Sequence, residues 1–206
     1  GGLEKVRMII IGMDPPEHHD FRGIVAKAFT PKMINQLEDA LLTETKKVVG
    51  GLRGRNSCEF VADVAARIPM WAISELMGVP EGDRQRLYEL SHALIDDQDP
   101  EVAPTPETST NSLLEIFSYA TDLAAKERAN PTGSLTSMLL EAEVDGRKLS
   151  DMEYTLFFMF LIVAGNETTR TAGSHGLHTL IQHPEAMARL AADPSLIPGA
   201  IEEILR

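Results

Sequence analysis

The stretch FLIVAGNETTRTAG, residues 160–173, places an apolar run directly before a glycine, an acid and two threonines. Apolar residues at this density predict a buried helix. A glycine in a helix interior costs about 1 kcal/mol relative to alanine, and a threonine hydroxyl competes for backbone carbonyls. Gly165 and Thr168 are therefore poor choices for a helix that only has to pack.

The same stretch suggests a chemical use for these residues. The Thr168 hydroxyl can donate to the carbonyl of Ala164, four residues back, which bends a helix. The result would be a groove with a hydroxyl on one side and the ionisable Glu167 next to it. Such a pair suits proton delivery from solvent to a buried reaction centre. The alternative from the residues alone is a polar turn on the surface with an incidental glycine.

Helical patterns continue on both sides of this stretch. Ser150 and Glu153 predict a capping box that starts the long helix, which runs to about His183. Asp145-Gly146 predicts a hairpin-type turn before it. Other helices are predicted from Pro16 to about Ala28, Met33 to Val49, Cys58 to Gly78, Pro80 to about Asp96, Thr108 to Arg128 and Ser134 to Glu141, with two more after Pro184. The chain is predicted to be a single, mainly α domain over residues 1–206.

Composition excludes several classes of protein. Hydrophobic residues make up 43% of the 206 residues, enough for a sizeable core, and the net charge of −12 disfavours nucleic acid as the main partner. The single cysteine excludes an internal disulfide framework. The most apolar stretch, Leu156 to Ala164, is far shorter than the ~20 residues that span a bilayer. A soluble, cytoplasmic protein is expected.

Three motifs together point to one family. The letters AGNETTR at residues 164–170 resemble the oxygen-activation segment of the cytochrome P-450 monooxygenases. Residues 14–31, DPPEHHDFRGIVAKAFTP, resemble the helix that lies along one edge of the haem in that family, and residues 203–206 match its E-x-x-R motif. The motifs occur in the family's order. The resemblance implies a partial cytochrome P-450 fold, from the haem-edge helix through the oxygen-activation helix to the E-x-x-R helix.

The resemblance assigns residues to cofactor binding and to structure. His18 and Arg22 are four apart, so they share a helix face, and in the family these positions donate hydrogen bonds to a haem propionate. Glu203 and Arg206 match a buried acid–guanidinium pair, which is structural and supports the haem-binding core.

The resemblance also assigns residues to catalysis. Glu167 and Thr168 match the acid and the alcohol that help to protonate dioxygen, which favours cleavage of the O–O bond over release of peroxide. Ala164 and Gly165 would leave room for dioxygen above the haem iron.

No metal ligand is expected within the chain itself. The family's axial ligand is a cysteine thiolate, and it follows the E-x-x-R motif, so it is expected beyond Arg206. The chain is therefore expected to be an internal fragment, truncated at both ends and inactive alone. Cys58, in the sequence NSCEF, is not this ligand, because it precedes an apolar helix and lacks the glycine- and phenylalanine-containing ligand loop.

The implied activity is that of a haem-thiolate monooxygenase, which inserts one oxygen atom of dioxygen into an apolar substrate. Electrons would come from a ferredoxin and reductase chain. Lys27 and Lys32, beside the haem-edge helix, either meet an acidic ferredoxin or form a solvated basic face. The sequence is most similar to soluble bacterial enzymes that hydroxylate steroids or branched lipids, with the substrate beneath Tyr88 to Asp96. Terpenes, alkanes and polyketides stay open as substrates. A monomer without a nucleic-acid partner or a membrane span is expected.

Two other classes of protein are alternatives to a cytochrome P-450 monooxygenase. The first is a non-catalytic helical ligand-binding or sensor protein that holds an apolar effector. The second is a di-iron helical bundle, which needs two E-x-x-H pairs and two more acids, whereas only Glu89 and His92 form such a pair. His175 and His178 could share a helix face and bind a metal, but no third ligand lies near them in the sequence.

Overall fold

The computed structural model describes residues 8–28, 31–95, 99, 101–102, 105–144 and 146–206, without the side chains at 25, 27, 28, 31–34, 36, 106, 144 and 147. The side chains of Lys27 and Lys32, which were considered either for a ferredoxin contact or as a solvated face, lie outside this description. So do Asp145 of the predicted turn and Asp96 at the end of the predicted substrate-binding segment.

Helices dominate the described residues, which confirms the mainly α prediction. They are α1 Glu17–Ala28, α2 Pro31–Gly50, α3 Arg67–Met77, α4 Glu81–Ile95, α5 Pro106–Ala129, α6 Leu135–Glu141, α7 Asp151–Gln182, α8 Pro184–Ala192 and α9 Ile197–Ile204. A short antiparallel hairpin, β1 Glu143–Val144 and β2 Arg147–Lys148, precedes α7. Gly146 turns between the two strands with a φ of 77°, as the Asp-Gly pair predicts.

Two predicted features of helix ends, a capping box and a terminal glycine, are confirmed. Ser150 and Glu153 form the capping box of α7, because the Glu153 N–H donates to the Ser150 hydroxyl (3.3 Å) and the Ser150 N–H donates to the Glu153 carboxylate (2.8 Å). Gly78 closes α3 with a φ of 75°, a left-handed conformation that glycine adopts without strain.

One helix begins later than its sequence predicts. Cys58 and Glu59 precede the helix, and the chain first forms a π-helical turn, Val61–Ala65, before α3. The Asp63 carboxylate accepts from the Glu59 N–H (3.0 Å) and from Arg55 (2.7 Å). These bonds hold the start of the segment outside regular α geometry, and Cys58 is exposed.

The long helix α7 runs through the core. Its buried Tyr154, Phe158 and Ile162 belong to one hydrophobic cluster with residues of α3, α4, α5 and α6. The Phe157 ring stacks on Phe21 of α1, with ring centroids 5.4 Å apart and planes 2° apart. This contact fixes α1, which carries His18 and Arg22, against the first half of α7. None of the described helices combines the length and the apolar content that a membrane span requires.

Candidate functional site

The glycine in α7 is explained by a close contact between helices. A Cβ built on Gly165 would lie 2.9 Å from Cγ1 and 3.1 Å from Cβ of Ile73 on α3. These distances are shorter than van der Waals contact, so only glycine lets the two helices approach this closely. The space that Gly165 leaves is therefore taken by Ile73, a packing role that the sequence analysis did not predict. The role of Gly165 in making room for dioxygen stays a prediction.

The Thr168 hydroxyl forms the hydrogen bond that the sequence predicts. It donates to the carbonyl of Ala164 at 3.0 Å, and the side chain lies on an exposed face of α7. The helix remains α-helical from Asp151 to Gln182, so this bond forms without ending it. Thr168 thus presents its hydroxyl beside the helix rather than in the core.

Glu167 is held by an arginine on its own helix. The Arg170 Nε donates to Glu167 Oε1 at 3.0 Å, and a terminal nitrogen of the same guanidinium forms a second, shorter bond to that oxygen. Thr171 also lies 3.4 Å from Oε1. The role of Arg170 was not predicted, although the residue ends the AGNETTR motif and its spacing of three residues from Glu167 is a recognisable helical ion-pair signal.

Arg170 extends this contact to the neighbouring helix α4. Its NH1 lies 3.0 Å from His92 Nε2, and the His92 ring stacks on Tyr88 with centroids 5.5 Å apart. Burial lowers the pKa of Arg170, but the hydrogen bond and charge of Glu167, with a smaller contribution from Tyr88, raise it above its usual value. The guanidinium is therefore a fixed cation between α7 and α4.

Asn166 is a second residue that the sequence analysis passed over. It is 2% exposed, and its Oδ1 is buried without a hydrogen-bond partner in the described structure. A buried polar atom without a partner costs about 1–3 kcal/mol, so Asn166 is poorly suited to a site that serves packing alone. It lies directly between the packing glycine and the proposed acid.

The open side of α7 borders a groove. The groove has a volume of about 520 Å³. It is lined by Thr168, Thr169 and Ala172 of α7, by Ile201 of α9 and by Leu205, which follows α9. Apart from the two threonine hydroxyls, these lining side chains are apolar, so a flat apolar group with a few polar contacts would suit this surface.

The predicted propionate donors lie on α1. His18 is half-buried and Arg22 is exposed, and α1 places them one turn apart. Within the described part of the chain, Arg22 forms no ion pair. Both groups are therefore available to an acid outside these residues.

The predicted acid–guanidinium pair near the end of the chain forms, but it is not buried. Arg206 lies 3.2 Å from the Glu203 carboxylate, with side chains 79% and 68% exposed. The resemblance implies that this pair is buried and supports the haem-binding core, and that structural role stays a prediction.

The described residues do not form either of the metal sites considered above, at Glu89 with His92 or at His175 with His178. Glu89 pairs with Gln85 and Arg86, whereas His92 faces Arg170, so the E-x-x-H pair does not converge. His178 lies 3.0 Å from the Gln182 amide. Among the described residues, no three His, Cys, Asp or Glu side chains are grouped closely enough to hold a metal ion.

Comparison with known proteins gives one consistent result. Residues 108–199 match the family model described as Cytochrome P450. The chain is 37% identical over 179 residues to a steroid C26-monooxygenase of Mycolicibacterium smegmatis, covering 87% of this chain and 42% of the relative. It is 38% identical over 201 residues to a methyl-branched lipid omega-hydroxylase of Mycobacterium bovis, covering 96% and 47%.

Solved structures agree with the sequence comparisons. A Mycobacterium marinum cytochrome P450 in complex with pseudoionone superposes with a TM-score of 0.91 at 35% identity, over 98% of this chain and 50% of that chain. The 206 residues thus span less than half the length of the two curated relatives, 42% and 47%.

Proposed function

Because the chain belongs to the cytochrome P450 family, we propose that the intact protein is a haem-dependent monooxygenase. It inserts one oxygen atom of dioxygen into an apolar substrate, and the other atom leaves as water. The observation that carries the proposal is the adjacent acid and hydroxyl, Glu167 and Thr168, on α7 beside an apolar groove.

The described residues fit a haem. His18 and Arg22 are two donors on one face of α1, and Arg22 has no acid partner among the described residues, so both can bind propionates. The groove beside Thr168 offers mainly apolar side chains, which suit a porphyrin face. When bound, the haem supplies binding and activation of dioxygen.

Glu167 and Thr168 are proposed to hold and move the protons that the reaction uses. The Thr168 hydroxyl donates to a backbone carbonyl and keeps its lone pairs for a further donor. It can therefore accept a hydrogen bond from a water or a protonated oxygen beside it while its own proton stays on the Ala164 carbonyl. Glu167, the adjacent ionisable group, exchanges protons with solvent. Ala164 borders this pair on the preceding turn of α7 and adds little bulk beside it.

The substrate is proposed to be a steroid or a branched lipid. Two curated relatives are named for oxidation of such molecules. We place the substrate beneath α4, which carries Tyr88. The electron donor is proposed to be a ferredoxin with its reductase, and the protein is proposed to act as a monomer in the cytoplasm.

Replacement of Thr168 tests this function. In the intact protein, Thr168→Ala should leave haem binding unchanged but divert electrons from product to hydrogen peroxide. The fraction of NAD(P)H that yields product should fall about 10-fold or more, since positioned proton transfer contributes at least that factor. The measurement compares NAD(P)H consumed, peroxide released and product formed.

Thr121→Ala is the matched control. Thr121 is an exposed residue of α5. Its hydroxyl forms the same type of bond, to the Phe117 carbonyl at 2.9 Å. This variant should keep the coupling of the unsubstituted protein. Equal coupling in the Thr168 variant would contradict the proton role.

A further inference from the structure

We propose that Arg170 is a positioning residue that orients the acid Glu167 and links it, through His92, to helix α4. The inference rests on the proposed function. It assigns a role to Arg170, the last residue of the AGNETTR motif, to which no role was given, and to His92, which lies outside the motifs. It connects the proton-delivery segment of α7 with the helix under which the substrate is proposed to bind.

The first step is the geometry of the guanidinium. Arg170 is a planar fork with five N–H donors and no acceptor. Its Nε and one terminal nitrogen bind one carboxylate oxygen of Glu167, and the other terminal nitrogen, NH1, reaches His92. The side chains of Arg170 and Glu167 are 12% and 20% exposed. Because one rigid group makes both contacts, Glu167 and His92 cannot move independently while the contacts last.

The second step is the protonation of His92. Arg170 can only donate, so His92 Nε2 must accept, and the neutral ring then carries its proton on Nδ1. The stack on Tyr88, with planes 17° apart, holds the ring in the plane that this contact requires. Protonation of both ring nitrogens would place two donors against each other and break the link.

The third step is the attachment of α4. Arg86 on α4 binds the Glu115 carboxylate on α5 through two nitrogens, at 2.8 and 2.6 Å. The Tyr119 hydroxyl on α5 donates to Asp83 at 2.8 Å. These bonds make α4 and α5 move together, whereas Arg170–His92 is a polar contact between α4 and α7. A substrate that displaces α4 therefore alters the hold of Arg170 on Glu167.

The contact between Arg170 and His92 is tested by a measurement that does not require substrate turnover. Nitrogen-15 NMR of histidine-labelled intact protein, in a diamagnetic state at neutral pH, reports which ring nitrogen of His92 carries the proton. His92→Phe identifies the signal. The expected result is a proton on Nδ1 in the unsubstituted protein and a shift of the proton to Nε2 in Arg170→Met. A proton on Nε2 in the unsubstituted protein overturns the link.

The positioning role is tested by coupling. Arg170→Met and His92→Phe should each raise peroxide release several-fold, with a fall in kcat and little change in KM, because the substrate pocket is kept. The double variant should match Arg170→Met alone, since His92 acts through Arg170. Arg170→Lys, which can still pair with Glu167, should recover part of the coupling.

Arg128→Met is the control, because it removes an exposed arginine that also pairs with an acid of α7, Asp151 at the first residue of the helix, but contacts neither Glu167 nor His92. It should leave both the His92 tautomer and the coupling unchanged. Normal coupling in Arg170→Met, together with the expected tautomer shift, overturns the positioning role. If the unsubstituted protein oxidises no substrate, the proposed function fails instead, and the tautomer still decides whether the link exists.

Discussion

Gly165 shows how a single missing side chain can set the distance between two helices. Gly165→Ala would place a methyl group 2.9 Å from Cγ1 of Ile73, an atom close to the α3 backbone that cannot rotate away freely. Overpacking of this kind costs about 1–3 kcal/mol, whereas alanine gains about 1 kcal/mol of helix propensity. We expect the free energy of unfolding to fall by about 1 kcal/mol, measured by denaturant titration of the intact protein.

Gly173→Ala on the same helix is the control. Among the described residues, no atom lies within 4 Å of a Cβ built at that position. The helix-propensity gain should then appear alone, and stability should rise. Removing the opposing atoms with Ile73→Ala should reduce the cost of the Gly165 substitution. Equal effects at the two glycines would contradict the packing role.

At the scale of elements, a buried carboxylate joins the ends of three helices. Glu127, in the last turn of α5, is 5% exposed. It accepts from the Thr132 N–H (3.0 Å), from the Thr132 hydroxyl (2.8 Å) and from Ser137 of α6 in a short bond. A Cβ on Gly78, which ends α3, would lie 3.2 Å from its Oε1. Glu127 therefore fixes the turn between α5 and α6 against α3.

This carboxylate makes stability depend on pH. Burial by itself would raise the pKa of Glu127, but the hydrogen bonds from Ser137 and Thr132 lower it below its usual value. The pKa of Glu127 is lower in the folded protein than in the unfolded protein. Its ionised carboxylate therefore stabilises the fold fully above the unfolded-state pKa of ~4.3. This stabilisation is lost as pH falls through the folded-state value.

Glu127→Gln should therefore cost about 1–3 kcal/mol at neutral pH. The variant should also show a smaller loss of stability than the unsubstituted protein when both are acidified below about pH 5. Unfolding free energies measured from pH 7 to pH 3 test this. Glu141→Gln, on the exposed end of α6, is the control and should keep the original pH dependence. A parallel shift at all pH values would show that the charge of Glu127 is not involved.

At the scale of the whole molecule, one face stands out as apolar. Ile201 of α9 is 49% exposed, and Leu205, which follows α9, is 64% exposed. Both line the groove beside Thr168, so this patch adjoins the proposed catalytic segment. Contiguous exposed apolar surface of this kind marks a binding or interaction site.

The 206-residue chain expressed alone should therefore bind the dye ANS and self-associate. Replacing both Ile201 and Leu205 by lysine should reduce dye fluorescence and the apparent mass in sedimentation. Leu114→Lys is the control, because Leu114 on α5 is 61% exposed but lies away from the groove. An equal decrease in the control would show that general charge, rather than this face, controls association.

Much of the fold could be predicted from local signals. The capping box at Ser150, the left-handed Gly78 and the Gly146 turn each depend on neighbouring residues, so the sequence contains the whole cause. The π-helical turn before α3 was missed, because it depends on how Asp63 bonds to Arg55 and Glu59. The family and the mainly α fold were confirmed, while the roles of His18, Arg22, Glu167 and Thr168 stay predictions.

The sequence by itself determined where the helices lie, that the family motifs fall on α1, α7 and α9, and that Thr168 can bond Ala164. These features involve residues within about one helical turn of each other. Only the tertiary structure decided that Ile73 fills the space at Gly165 and that Arg170 joins Glu167 to His92. Such contacts depend on which helix faces pack together, and the packing is set by the summed burial of many side chains rather than by any local pattern.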